Sequence, residues 1–436
     1  MSNPLILMSH SISRRTFLKT SLLTTAGFWV GTNLGLARKP SPNEKLNIGV
    51  VGTINRARAN ISAVRGENIV AICDIDDHLL AAAQANFPKA KAYSDFRRML
   101  SQRDIDAVVI STPDHTHAVA TMAALKSGWH VYCEKPLAHD VFEVRTVTKA
   151  AAKYKLATQM GIQIHATTNY RRVVELIEQE AIGPVKEVHV WSERVWSGGG
   201  RPVDTPPIPS GLHWDLWLGP APQRPYHAGY QPKDWRRWWD FGGGTLGDMG
   251  CHFIDLPFWA LKLRAPTVIE AEGPPVHSET TPAWLLVRYQ FAARGPLPAV
   301  QLIWYNGGKL PELIKEANLP QWSNGVLFVG SKGMLLADYN RRLLLPEKDY
   351  AGFQPPARHL PDSIGHHAEW IAACKGRAPA LCNFRYSGPL TETVLLGNVA
   401  FRSGSRLEWD SDAGKVINTR TADPFLRRKY RRGWKL

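Results

Sequence analysis

The 436-residue sequence predicts an α/β protein in which a doubly wound parallel sheet is followed by a second α/β domain with a mostly antiparallel, open-faced sheet. From residue 45 to 161, short apolar segments alternate with segments of helical periodicity, which is typical of parallel βαβ units. From residue 162 to 436, apolar segments follow one another without regular helices between them, which favours antiparallel pairing.

The first domain is predicted from apolar runs of four to six residues, the length of buried strands, and from longer segments rich in good helix formers. The predicted strands are residues 46–51, 69–73, 107–110 and 130–133. The predicted helices between and after them are residues 57–64, 77–86, 117–126 and 141–154.

The second domain begins with an amphipathic helix and continues as strands around a stretch rich in Gly, Pro and Trp, residues 192–250. Such a composition favours loops, because Gly and Pro interrupt regular structure. The predicted strands are residues 185–191, 268–272, 285–291, 300–304, 326–329 and 334–337. The predicted helices are residues 170–179, 366–374 and 390–401, of which the last two close the domain.

The composition is that of an ordinary globular protein, with 44% hydrophobic and 21% charged residues and a formal net charge of +15. A basic balance can indicate a nucleic-acid partner, but the sequence contains no nucleic-acid-binding motif, so none is predicted. We instead expect a solvated basic surface that favours an anionic cofactor. The basic tail, residues 420–436, is expected to belong to that surface.

Five cysteines are present, and none of them forms a C-x-x-C pair. An odd number without such a pair is neither a disulfide framework nor a zinc cluster. Cys73 and Cys133 lie in apolar strand-like runs, which predicts buried free thiols. Because no set of His, Cys and Asp residues has convincing ligand spacing, no metal is predicted.

The first 37 residues have the layout of an export signal. Arg14 and Arg15 precede an uncharged stretch, residues 20–37, that ends in a small-residue cleavage pattern. Paired arginines indicate the twin-arginine route, which exports folded proteins to the periplasm and would require the twin-arginine export machinery as a partner. Residues 38–44, with two prolines, are predicted to be a linker.

A phosphate-binding loop is expected between the first strand and the first helix, where the chain reads Gly52-Thr53-Ile54-Asn55-Arg56-Ala57. Gly52 matches the first glycine of the dinucleotide fingerprint, but Ile54 occupies the position where the backbone should approach a pyrophosphate. A β-branched residue resists positive φ and adds bulk there. Asn55 tolerates left-handed geometry, and Arg56 is able to meet a phosphate directly.

Asp74 ends the second predicted strand, 22 residues after Gly52. A carboxylate at this place can accept both ribose hydroxyls and would repel a 2′-phosphate, which favours NAD over NADP. Together with the βαβ context, Asp74 predicts a Rossmann domain that binds a dinucleotide.

Three further segments complete a pattern that resembles the Gfo/Idh/MocA oxidoreductases over nearly all of residues 45–436. They are Ser111-Thr112-Pro113-Asp114-His115-Thr116-His117, Glu134-Lys135-Pro136 and Gly247-Asp248-Met249-Gly250-Cys251-His252-Phe253-Ile254-Asp255. A fourth segment, Trp214-Asp215-Leu216-Trp217-Leu218-Gly219-Pro220, looks like a subgroup of exported members.

The resemblance implies a division of roles in the active site. Lys135 would lie beside the nicotinamide and the substrate hydroxyl, His252 would be the general base, and Asp248 would orient that imidazole. The implied cofactor residues, with the loop and Asp74, are Ser111, Thr112, Pro113, His117, Glu134 and Lys135. The candidate substrate residues are Gln163, Tyr170 and Arg171, with Trp191, Trp196 and Tyr305 as aromatic platforms for a sugar.

The function expected from these features is hydride transfer between NAD and a hydroxyl of a sugar or cyclitol. Free NAD should be scarce outside the inner membrane, so an exported enzyme is expected to keep its cofactor bound and to reset it in each cycle. An alternative is an NAD-dependent glycoside hydrolase that works by transient oxidation and elimination. A less favoured alternative is a sugar-binding Rossmann relic whose pyrophosphate site Ile54 has closed. The resemblance also implies a homo-oligomer.

The export signal leads to a direct prediction. Replacing both arginines, Arg14→Lys with Arg15→Lys, should leave the protein in the cytoplasm, because the route requires the arginine pair. Cell fractionation followed by immunoblotting would measure the distribution, with Lys19→Arg as a control that preserves the charge and the pair. Undiminished export of the double variant would refute the assignment.

Overall fold

The computed structural model describes residues 44–355 and 357–436. The predicted signal peptide and residues 38–43 of the predicted linker lie outside the described residues. Within the described part of the chain, no helix has the length and apolar character needed to cross a membrane.

The first sheet has six parallel strands in the order β3-β2-β1-β4-β5-β6. Its strands are β1 (Asn47–Val51), β2 (Asn68–Cys73), β3 (Lys91–Tyr93), β4 (Ala107–Ile110), β5 (His130–Cys133) and β6 (Thr158–Met160). The strand order reverses between β1 and β4, and in open α/β sheets ligands bind at the carboxyl ends of the strands at such a point. The predicted doubly wound parallel sheet is confirmed.

The helices of the first domain are α1 (Arg56–Val64), α2 (Asp77–Asn86), α3 (Phe96–Met99), α4 (Asp114–Lys126) and α5 (Val141–Tyr154). Side-chain caps fix several helix starts, which sequence periodicity alone locates poorly. The Asp76 carboxylate accepts from the backbone of His78 and Leu79, and Asp140 forms a reciprocal capping box with Glu143 at the start of α5. The short elements β3, α3 and β6 were not predicted, since three or four residues carry little periodicity.

The second sheet has nine strands in the order β13-β12-β11-β7-β10-β9-β8-β14-β15. They are β7 (Val185–Ser192), β8 (Val268–Glu272), β9 (Leu285–Phe291), β10 (Val300–Asn306), β11 (Asn324–Gly330), β12 (Met334–Ala337), β13 (Arg342–Leu345), β14 (Leu407–Asp410) and β15 (Lys415–Val416). The β7–β10 pair is parallel and the other paired neighbours are antiparallel, as predicted for most of the sheet.

The later helices are α6 (Thr168–Glu178), α7 (Trp214–Leu218), α8 (Gly244–Phe253), α9 (Asp255–Ala260), α10 (Leu313–Glu316), α11 (His366–Cys374), α12 (Phe384–Ser403) and α13 (Asp423–Leu426). Short 3₁₀ helices span Gln163–Ala166, Asp234–Arg237 and Glu347–Tyr350. Helix α8 begins inside the stretch predicted to be loops. Its small residues have a packing reason, because a Cβ on Gly250 would lie 3.1 Å from Val394 of α12.

Helix α11 was expected to close the second domain, and the structure corrects this. Trp370 of α11 is fully buried and its ring meets Tyr132 of β5 edge-on, with centroids 5.7 Å apart. Trp370 also belongs to one hydrophobic cluster with Ile48 and Val50 of β1. The parallel sheet therefore needs a helix from more than 200 residues further along the chain to cover its face.

The basic tail is not simply solvated, which corrects a second expectation. The Arg428 side chain is largely buried, and its guanidinium contacts the Glu143 carboxylate at 2.5 Å and the Asp140 carboxylate at 3.7 Å. Buried arginines need such partners because an unpaired charge is costly away from water. The tail is thus part of the folded domain rather than a free basic extension.

Trp370 provides a test of the long-range covering helix. Trp370→Ala should lower the free energy of unfolding by about 3–5 kcal/mol, because it leaves a cavity against the parallel sheet. Urea unfolding of the purified protein would measure it, with Ile364→Ala as a control at a position that is 70% exposed. Equal unfolding midpoints for the two variants would contradict the packing described here.

Candidate active site

A cleft of about 560 Å³ opens at the carboxyl ends of the parallel strands, and residues of both domains line it. This is the location that the reversal of strand order predicts. The predicted site residues that the structure brings into its lining are Gly52, Ile54, Asn55, Arg56, Asp74, Ser111, Thr112, Pro113, Glu134, Lys135, Gln163, Trp196, Asp248 and His252.

The loop between β1 and α1 has a glycine where a side chain would not fit. Gly52 has a φ of 89°, and a Cβ on it would lie 2.8 Å from the carbonyl oxygen of Ser111. Asn55 takes the other positive φ of the loop, 53°, as its tolerance for this geometry predicted. Ile54 is not among the positive-φ residues. Asn55 therefore takes the positive φ that Ile54 would resist. Ile54 lines the cleft and does not close it.

Asp74 at the end of β2 is held by the same loop. One carboxylate oxygen accepts from the backbone N–H of Thr53 at 2.9 Å and from its hydroxyl at 2.6 Å, and the other accepts from Asp76 N–H at 3.2 Å. Each carboxylate oxygen can accept more than one hydrogen bond, so ribose hydroxyls can still donate. Thr53 was missed because the fingerprint specifies only glycines and alanine.

Glu134 joins the phosphate loop to β5. Its carboxylate accepts from Arg56 Nε at 3.1 Å and from Asn60 Nδ2 at 2.9 Å. Arg56 lines the cleft but already has an acidic partner in this structure. A Cβ on Gly161 would lie 2.6 Å from the carboxylate, so glycine is needed for this close approach.

His117 was predicted to bind the cofactor, but it does not line the cleft. Its imidazole is fully buried, with Nδ1 2.7 Å from the Pro136 carbonyl oxygen and Nε2 2.8 Å from that of Thr112. The ring therefore connects the loops after β4 and β5. We correct its role from contacting the dinucleotide to positioning the loops that do.

A largely buried ion pair in the cleft joins Lys135 to Asp248. The Lys135 ammonium contacts one Asp248 carboxylate oxygen and donates to the Asp248 backbone carbonyl at 2.9 Å. Arg236 Nε donates to that same carboxylate oxygen at 3.1 Å, and Trp196 Nε1 donates to the other at 2.7 Å. Burial alone would raise the pKa of Asp248, but Lys135 and Arg236 outweigh it and hold the pKa well below its usual value.

This arrangement corrects the role expected of Asp248. Its carboxylate faces two cations and an indole, so it orients Lys135 rather than His252. The two cations compete successfully for the carboxylate because they offer charge-assisted hydrogen bonds.

His252 lines the cleft with a neutral imidazole. Burial, together with the charge of Lys135, lowers the pKa of His252 to about 3. Its Nδ1 has no hydrogen-bond partner among the described residues, and its backbone carbonyl accepts from the Tyr170 hydroxyl at 3.0 Å. Because a neutral imidazole has one nitrogen with a free lone pair, His252 is able to accept a proton.

Arg236 and Asp114 are among the charged residues of the cleft that were not predicted. Arg236 lies over the rings of Trp235 and Trp196, 4.2 and 5.4 Å from their centroids. Arg236 lies among Trp235, Trp238 and Trp239, which were expected to pack in the interior. The sequence around it therefore gave no indication of a site residue. Asp114 follows β4 and is 4% exposed, and burial raises its pKa to about 7 although Arg236 and Lys135 act in the opposite direction.

Four predicted substrate residues are not brought into the cleft. Tyr170 and Arg171 lie on α6, where Arg171 donates to the Pro361 carbonyl and to Glu369, both at 2.9 Å. Trp191 and Tyr305 belong to the cluster on the far face of the second sheet. Strand alternation decides their side of the sheet, and sequence alone does not indicate which face looks toward the cleft.

The cleft fits a dinucleotide on its own geometry. The Gly52 turn leaves room for backbone to approach a phosphate, Asp74 offers acceptors for ribose, and unsatisfied buried atoms remain at His252 Nδ1 and Gln163 Oε1. In the described chain, no three His, Cys, Asp or Glu side chains converge as metal ligands.

Comparison with known proteins gives the family. Residues 46–162 match the family model of an oxidoreductase family with an NAD-binding Rossmann fold, and residues 168–301 match the model of that family's C-terminal α/β domain. Together they span more than half of the chain. The chain belongs to the Gfo/Idh/MocA oxidoreductases. Its first domain is an NAD-binding Rossmann fold, in agreement with the prediction.

Three relatives show the range of similarity. An inositol 2-dehydrogenase of Salmonella typhimurium is 31% identical over 33% of this chain and 43% of its own length. A levoglucosan dehydrogenase of Pseudarthrobacter phenanthrenivorans is 26% identical over 62% of this chain and 65% of its own. A glycosyl hydrolase family 109 protein of Solibacter usitatus is 35% identical over 30% of this chain and 34% of its own. The chain thus spans less than half the length of the inositol dehydrogenase that it matches.

Asp114 gives the cleft a testable dependence on pH. A carboxyl whose pKa is raised stays protonated in the folded state while the unfolded chain ionises, so stability falls as pH rises from about 4 to 7. Asp114→Asn should remove this loss and gain about 1–3 kcal/mol over the parent between pH 5 and 8. Urea unfolding at the two pH values would measure it, with exposed Asp104→Asn as control. A pH-independent difference would contradict the burial effect.

Proposed function

We propose that this protein is an NAD-dependent oxidoreductase that acts on a CH–OH group of a sugar or cyclitol. One observation carries the proposal: the Lys135–Asp248 pair, from different domains, lies in the same cleft as the phosphate loop and the neutral His252. Names of relatives support a polyol or carbohydrate substrate, since two of them are an inositol and a levoglucosan dehydrogenase.

The proposed chemistry divides between the cofactor and three side chains. Bound NAD would accept the hydride from carbon. The imidazole of His252 would take the hydroxyl proton, and Lys135 would donate a hydrogen bond to the oxygen that loses it. The cations that lower the pKa of His252 also stabilise a developing alkoxide, so the proton can leave although the imidazole is a weak base. Asp248 holds the Lys135 ammonium at that position.

We further propose that the protein is exported folded to the periplasm with NAD bound, and that each catalytic cycle returns the cofactor to its starting state. The support is the arginine-pair signal in the sequence and the scarcity of free NAD outside the inner membrane. Asp74 supports NAD over NADP, because its carboxylate would repel a 2′-phosphate.

A second candidate is glycoside hydrolysis by transient oxidation, elimination and re-reduction, and the similarity to a glycosyl hydrolase family 109 protein favours keeping it. Both candidates require hydride transfer to bound NAD. They differ in product: the first yields a carbonyl compound and the second a free sugar with no net redox change.

The test uses protein purified with its cofactor and a panel of sugars, cyclitols and aryl glycosides without added NAD. Lys135→Ala and His252→Ala should each lose about 10²–10⁴-fold in turnover, because each removes proton or charge stabilisation at the reacting oxygen. Both should keep bound NAD, measured after denaturing release.

Lys262→Ala, at an exposed lysine, is the matched control and should keep full turnover. If Lys135→Ala and His252→Ala instead lose cofactor, and residual activity follows the folded fraction, the two side chains are structural and the proposal is wrong. Product analysis separates the two candidates.

A further inference from the structure

The basic tail places an aromatic side chain in the lining of the cleft. Trp434 is half-buried there, with its ring centroid 6.1 Å from that of Phe96 and the Arg97 guanidinium 4.4 Å from it. Arg97 is in turn bound to Asp95, which caps α3. The indole therefore packs against Phe96 and Arg97 at the cleft.

The position of Trp434 along the sheet identifies the part of the cofactor it would meet. Lys135 follows β5, the phosphate loop follows β1, Asp74 follows β2, and Phe96 follows β3. In the strand order these come one after another across the sheet edge. With the nicotinamide near Lys135, the pyrophosphate at the loop and the ribose at Asp74, the end beside Phe96 and Trp434 is left for the adenine.

The tail is anchored at two places before Trp434. Before Trp434, the Arg428 guanidinium binds Glu143 and donates to the His115 carbonyl at 2.6 Å, and the Tyr430 hydroxyl donates to Glu143 at 2.5 Å. These partners belong to the first domain.

The second anchor belongs to the other half of the chain. Arg431 pairs with Asp215 of α7 and donates to the Gly219 carbonyl at 3.1 Å, and its own N–H donates to the Pro220 carbonyl at 3.1 Å. The last anchor is three residues before Trp434, whose own backbone N–H donates to the Arg431 carbonyl at 3.2 Å.

We propose that Trp434, with Phe96, forms an aromatic binding site for the adenine of NAD, and that the anchored tail closes the adenosine end of the cleft over the cofactor. The inference rests on the proposed NAD-dependent function. Purine rings stack on aromatic side chains, and the indole has the largest face available for this. A tail that is already ordered before the dinucleotide binds should slow its release. Slow release is what an internally recycled cofactor requires.

The experiment compares three ligands by calorimetry on the full chain after its cofactor has been removed: NAD, ADP-ribose and nicotinamide mononucleotide. Trp434→Ala should weaken NAD and ADP-ribose roughly 5- to 100-fold, the range of an aromatic–base contact, and leave nicotinamide mononucleotide unchanged because it lacks adenine. Trp434→Phe should retain most of the affinity, which shows that the tail still folds.

The matched control is Trp284→Ala. Trp284 is also half-buried with a cation over its ring, the Lys309 ammonium at 4.5 Å, and it does not line the cleft. Unchanged NAD affinity in Trp434→Ala, or an equal loss for nicotinamide mononucleotide, would overturn the adenine site while leaving the proposed function standing. If the unsubstituted chain binds neither NAD nor ADP-ribose, the proposed function fails and this inference fails with it.

Discussion

The contact between Lys135 and Asp248 is the interaction on which the rest of the site depends. Each partner is nearly enclosed, with 11% of its side chain exposed, and they come from residues 113 apart in the two domains. Removing one partner of a buried pair leaves an uncompensated charge, which typically costs about 3–5 kcal/mol. The pair therefore links the position of the second domain to the charge state of the cleft.

Around that pair, polar side chains hold one loop to the next. Glu134 ties the phosphate loop to β5, and His117 ties the loops after β4 and β5. Glu143 caps α5 through one oxygen and receives Arg428 and Tyr430 of the tail through the other. The Glu143 carboxylate thereby connects the start of α5 in the first domain to the basic tail, which carries Trp434 at the cleft.

The sequence predicted the elements with strong periodicity and the residues whose roles come from motifs. The parallel sheet, the loop after β1, Asp74, Lys135 and His252 lie where expected because local pattern determines them. The direction of side chains in the second sheet was not predictable, because both faces of its strands carry apolar residues. Trp191 and Tyr305 were expected in the cleft but lie on the far face. Contacts between distant segments, such as Arg428 with Glu143, leave no local signal either.

The two carboxyl groups of the cleft show why tertiary contacts decide chemistry that residue type does not. Asp114 and Asp248 are both buried and both feel Lys135 and Arg236, yet burial raises the pKa of Asp114 to about 7 while direct bonds to the cations hold that of Asp248 well below its usual value. One site can thus keep a fixed anion beside Lys135 and a second carboxyl that carries a proton near neutral pH. With the neutral imidazole of His252 in the same cleft, a proton donor and a proton acceptor lie beside an ion pair that need not change its own charges.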